Sequence, residues 1–93
     1  MQVTLTFLGS LRAQVGSPTM SLEIAEEGTY RDVLDSIEET MRTRLESSLW
    51  DRDRRAFSRR IMVLLNGTSD LRDEGTVLSQ GDEIVIVLPL AGG

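Results

Sequence analysis

The stretch Glu83-Ile84-Val85-Ile86-Val87-Leu88 is the most β-prone segment of this 93-residue chain. It is apolar at both parities, so a strand built from it needs neighbours on each side and belongs in the middle of a sheet. Gly81-Asp82 closes a loop just before it. Pro89 follows it, and proline cannot donate a ladder hydrogen bond, so the strand should end there. Working outward, Ile61-Met62-Val63-Leu64-Leu65 is a second apolar run, ended by the turn dipeptide Asn66-Gly67. Between the two runs, Thr68 to Asp73 has room only for a short strand or turn. At the other end of the chain, Val3-Thr4-Leu5-Thr6-Phe7 alternates apolar and polar residues, the period of a strand with one buried face. Met20-Ser21-Leu22-Glu23-Ile24 repeats the alternation after the turn residues Gly16-Ser17-Pro18, which predicts a hairpin.

Between these β-like regions the period changes. Thr29 sits at an N-cap position with Asp32 three residues on, an approximate capping box with an acid in the first turn. Tyr30, Val33, Leu34, Ile37, Met41 and Leu45 recur at helical spacing, with Asp35, Glu38, Glu39 and Arg42 opposite. The spacing predicts a helix from about Tyr30 to Glu46. The order hairpin, helix, further strands gives an α+β fold: one mixed sheet of four to five strands with one main helix packed on one face. The first and last strands then pair in parallel in the middle. Ile84 and Ile86 pack under the helix, and Val85 and Val87 stand on the other face as an exposed apolar stripe, the mark of a partner surface.

Composition narrows the function. Hydrophobic residues make up 40% and charged residues 27%, as in an ordinary globule, and the length suits a single domain over residues 1–93. The chain has no cysteine, histidine or lysine; all ten basic residues are arginine. That removes thiolate chemistry, conventional zinc sites, the commonest general base and Schiff-base formation. The expectation is a protein without catalytic residues of its own and with no bound metal. No apolar run is long enough to span a bilayer and no signal-peptide pattern opens the chain, so a cytoplasmic location away from membranes is expected. The net charge of −5 and pI near 4.6 argue against nucleic-acid binding.

One local exception runs through residues 47–60. There Arg52, Arg54, Arg55, Arg59 and Arg60 cluster around Trp50 and Phe57. Three readings stand for it: a solvated crossover pinned to the core by the two aromatics, a grip on an acidic protein, or a stacking site for bases.

The chain closes with Leu88-Pro89-Leu90-Ala91-Gly92-Gly93. Glycines make a slim, flexible tail, over about 89–93, whose backbone can enter a channel too narrow for a Cβ. Its terminal carboxylate is ionised at neutral pH and a poor electrophile, so chemistry there requires activation, for which adenylation by ATP is the general solution. The acyl-adenylate can then be attacked by sulfur to give a thiocarboxylate, or by a thiol and then an amine to give an amide.

Three motifs in this order resemble the MoaD/ThiS sulfur-carrier family, which has the ubiquitin-like β-grasp fold. They are Phe7-Leu8-Gly9-Ser10-Leu11-Arg12-Ala13-Gln14-Val15-Gly16, Val63-Leu64-Leu65-Asn66-Gly67, and Leu78-Ser79-Gln80-Gly81-Asp82-Glu83 through to the Gly92-Gly93 tail. The resemblance covers nearly the whole chain and looks closest to the small subunit of molybdopterin synthase. It implies that the Gly93 carboxylate is adenylated by a ubiquitin-activating-type enzyme and becomes a thiocarboxylate. That group then donates sulfur in molybdenum or tungsten cofactor biosynthesis. Pro89, Leu90, Ala91 and Gly92 would thread into the large synthase subunit, and Val85 and Val87 would form part of the docking face. ATP and Mg²⁺ would be used by the activating enzyme, with no tightly bound cofactor on this chain. Leu88 and Leu90 depart from the proline and valine common in the family's tails. The alternatives are sulfur delivery to cysteine or another metabolite, conjugation to proteins through Gly93, and a plain β-grasp interaction module. Absence of lysine excludes self-linked chains through lysine side chains.

Overall fold

A computed structural model describes residues 1–16 and 18–89. Strand β1 (Gln2–Leu8) is followed by a short helix α1 (Leu11–Val15), β2 (Thr19–Glu23) and the main helix α2 (Tyr30–Met41). Then come β3 (Trp50–Asp51), β4 (Ala56–Phe57), β5 (Met62–Leu65), β6 (Ser69–Asp70) and β7 (Glu83–Val87). Five strands form one sheet in the order β2-β1-β7-β5-β6, and β3 pairs with β4 in a separate ribbon. As expected, β7 is central. It runs parallel to β1, with Leu5 opposite Ile84 and Phe7 opposite Ile86, and antiparallel to β5, with Val63 opposite Ile86.

That register assembles the core. Val3, Leu5, Phe7, Ile84 and Ile86 on the sheet and Val33, Leu34, Ile37 and Met41 on α2 are fully buried in one cluster. The capping box forms by half. The Asp32 carboxylate accepts the Thr29 backbone N–H at 2.8 Å, while the Thr29 hydroxyl turns to the same carboxylate rather than to a helix N–H.

The α-helix ends at Met41, short of the expected Glu46, and a 3₁₀ turn (Arg42–Arg44) follows. Leu45, Leu49 and Trp50 are all buried. Bringing them inward needs the chain to bend toward the sheet before the periodic pattern runs out, and the tighter 3₁₀ turn makes that bend. Two elements were not expected. Helix α1 lies within what reads as loop and ends at Gly16 in the left-handed conformation, φ 87°. The β3–β4 ribbon lies in the arginine-rich crossover, where Trp50 and Phe57 meet edge-on at 5.1 Å and the indole Nε1–H donates to Glu38 at 2.5 Å. Among the described residues, no helix is long and apolar enough to cross a membrane.

The two loop motifs turn out to be braces. Asn66 and Gly67 both have positive φ, 53° and 74°, as a type I′ turn requires. The Asn66 side chain then accepts the Glu83 backbone N–H at 2.9 Å and donates to Asp82 at 3.2 Å, while Asp82 also accepts the Ser79 N–H at 2.8 Å. The turn after β5 is thereby fastened to the start of β7.

Candidate functional site

The expected site residues divide into three groups. Leu90, Ala91, Gly92 and Gly93 lie outside the described residues. Pro89 is exposed at the root of the tail, two residues after the last ladder residue of β7. Val85 and Val87 are on β7, on the face turned away from α2. Ile84 and Ile86 belong to the core cluster and Val85 does not, so the two faces are assigned as expected.

Exposure of the stripe needs correction. Val85 is only 9% exposed and Val87 is half-buried. The reason is lateral: Val85 sits between Thr6 of β1 and Leu64 of β5, whose side chains share its face and cover its flanks. Exposed apolar surface lies instead on the flanking strands. Leu8 of β1 is 41% exposed and Met62 of β5 is 44% exposed, and the register places both opposite Val87. Leu8, Val87 and Met62 therefore form one apolar row across three strands at the end of β7 where the tail departs. Sequence reasoning missed Leu8 and Met62. The signal was present in their parity, because in strands whose buried face is Val3, Leu5, Phe7 and Val63 an apolar Leu8 or Met62 must point the other way.

Behind Pro89, a groove of about 530 Å³ runs between the β3–β4 ribbon and the outer strands of the sheet. Arg54, Arg59, Arg60 and Arg72 line it, with Tyr30 and Ile61 among the groups beneath. The ribbon is held in place by Arg31 on the first turn of α2. Its guanidinium donates to the backbone carbonyls of Arg54 and Arg55 and to Glu74, the last at 3.1 Å, and pairs with Asp35 at 3.0 Å. Burial, with Glu74 adding, pushes the Tyr30 phenol above its ordinary value of 10.0, so it stays a protonated donor through the physiological range. In the ribbon's turn, Asp51 accepts the backbone N–H groups of Arg54 at 3.1 Å and Asp53 at 2.9 Å. The Arg54 bond first, then that of Asp53 and the charges of Arg54 and Arg59, hold its carboxyl below the usual 3.8 against a smaller opposing desolvation.

Among the described residues, no three carboxylates gather in a way that could hold a metal ion. The arrangement offers a shaped surface and an exit point for the tail.

Comparison with known proteins agrees with this geometry. The profile of the ThiS family matches residues 5–93. No curated protein matches the sequence. Among solved structures, SAMP1 from Haloferax volcanii superposes with a TM-score of 0.81 at 26% identity, covering 100% of both chains. The small archaeal modifier protein 1 from Methanosarcina acetivorans gives 0.75 at 26% identity, covering 99% of this chain and 96% of its own. A complex of subunits 1 and 2 of molybdopterin-converting factor from Helicobacter pylori gives 0.67 at 18% identity over 100% of both chains, a likeness of fold.

Proposed function

The chain belongs to the ThiS family of small ubiquitin-like sulfur carriers and modifiers, and on that premise we propose that its Gly93 carboxylate is the reacting group. The observation that carries the reading is the coupling of tail and sheet. Pro89 leaves the end of the central strand beside the row Leu8, Val87 and Met62, so a partner docked on that row receives the tail at a fixed point. Gly92 then lets the last residues pass where a Cβ would clash.

In the first step a Gly93 carboxylate oxygen attacks the α-phosphorus of ATP within an adenylating partner, releasing pyrophosphate. In the second, a hydrosulfide-level sulfur attacks the acyl carbon and AMP leaves, giving a thiocarboxylate and a proton. We assign the sulfur to molybdopterin formation, with a large synthase subunit as acceptor. The two-subunit molybdopterin-converting factor of Helicobacter pylori, whose fold is shared, supports a second-subunit partner. The second reading is conjugation of Gly93 to amines on other proteins. It is favoured by the likeness to the archaeal modifier proteins at 26% identity.

The test is to mix the full chain with an adenylating enzyme, ATP and a sulfur donor and read the intact mass. Exchange of one oxygen for sulfur at the C-terminus is expected. Gly93→Ala keeps length and charge but displaces the reacting group, and should slow the exchange about 10²-fold. Mass unchanged under conditions that thiolate another family member would overturn the reading.

A further inference from the structure

The groove behind Pro89 has a charge unlike the rest of the molecule. The chain carries a net −5, yet the groove is lined by four arginines against two carboxylates, Asp70 and Glu74. Both carboxylates are already engaged, Asp70 with Arg72 at 3.5 Å and Glu74 with Arg31 at 3.1 Å. Arg54 pairs with Asp51 at 3.6 Å, within its own turn. Arg59 and Arg60 are exposed and, among the described residues, neither has a carboxylate within ion-pair distance. Beneath these charges lie buried apolar groups, Phe57, Ile61 and Leu71.

We propose that this groove docks an acidic segment of a partner protein, with carboxylates on Arg59 and Arg60 and an apolar side chain on the floor between the ribbon and the sheet. Charge complementarity selects the sign of the occupant. Two observations select a peptide over a nucleic acid. The ribbon's rings, Trp50 and Phe57, are buried edge-on against each other and leave no open face on which a base could stack, whereas the apolar floor suits an aliphatic side chain. The chain as a whole also carries a net −5, which opposes a polyanion long enough to bind by counterion release. The neutral phenol of Tyr30 adds a donor in the same groove. The inference goes beyond the carrier reading, since the groove would bind such a segment whatever chemistry occurs at Gly93. Its place beside Pro89 gives the contact a use: it anchors a partner at the point where the tail begins.

The experiment is an NMR titration of the isotope-labelled full chain with a short synthetic peptide alternating glutamate and leucine. Its glutamine-leucine counterpart and a single-stranded oligonucleotide serve as competing probes. The acidic peptide should perturb amides over 57–62 and 70–72, and its binding should weaken with salt. Arg59→Glu with Arg60→Glu should weaken it about tenfold or more, and Arg59→Gln with Arg60→Gln about fivefold, as expected for the loss of two exposed charge pairs. Both side chains are exposed, so unchanged thermal unfolding of either double variant confirms that the fold is kept. No binding, perturbations mapping elsewhere, equal binding of the glutamine peptide, indifference to both double variants, or tighter binding of the oligonucleotide would each overturn the proposal.

Discussion

Trp50 combines two interactions that a single substitution can separate. Its ring is buried edge-on against Phe57, and its Nε1–H reaches Glu38 on the outer side of α2. Trp50→Phe keeps most of the ring packing and loses the hydrogen bond, so urea unfolding should show a loss of about 1 kcal/mol. Trp50→Ala also opens a cavity, and the loss should be about 3–5 kcal/mol. Asp51, next in the chain, gives a pH signature. Its folded pKa is depressed, so the folded state binds the proton less tightly than the unfolded chain. Its contribution is therefore complete above the unfolded value and is lost as pH falls through the lower folded value. The amide resonances of Asp53 and Arg54 should titrate with a midpoint below 3.8, and Asp51→Asn should abolish that titration. A midpoint at or above 3.8 would show that the two backbone hydrogen bonds do not favour the carboxylate.

At the scale of the elements, the open face of the sheet grades from a covered centre to an exposed margin. Val85→Asp would place a carboxylate between Thr6 and Leu64 with little access to water, and should cost about 1–3 kcal/mol in chemical denaturation. Leu8→Asp and Met62→Asp, at the margin, should change stability by less than about 0.5 kcal/mol yet weaken docking of an adenylating or acceptor partner. If Val85→Asp is as stable as the wild type, the lateral cover ascribed to Thr6 and Leu64 is wrong. The same contrast explains how far the sequence could be read. β7, β1 and α2 are long enough for their periods to show, and their parity assigns the faces correctly. Parity says which way Val85 points and nothing about what stands beside it, because lateral cover depends on register between strands distant in sequence. Helix α1 has five residues, fewer than two turns, and β3 and β4 have two each, so no period can form. Their signals were single residues: Gly16 past the end of α1, and two large aromatics in a charged crossover. The expectation for the tail rests on chemistry alone, the pairing of glycines with a terminal carboxylate.

At the scale of the whole molecule, the central strand runs to Val87, and Leu88 after it packs against the core cluster. Gly92 and Gly93 are the last two residues and carry no side chain to bury, so without them the melting temperature should stay within about 1–2 °C of the full chain. Thiocarboxylation should be abolished, since the carboxylate would then belong to Ala91 and stop two residues short. A truncated protein that is thiolated as well as the full chain would return the fold to the role of an interaction module. The central place of β7 has a mechanical consequence as well. A partner that draws the tail into a narrow channel pulls lengthwise on a strand hydrogen-bonded on both sides, to β1 and to β5. Such a load falls on the two ladders together, in shear, whereas the same lengthwise pull on an edge strand would be carried by one ladder alone. The tail can therefore be gripped and extended while the globule behind it keeps its shape.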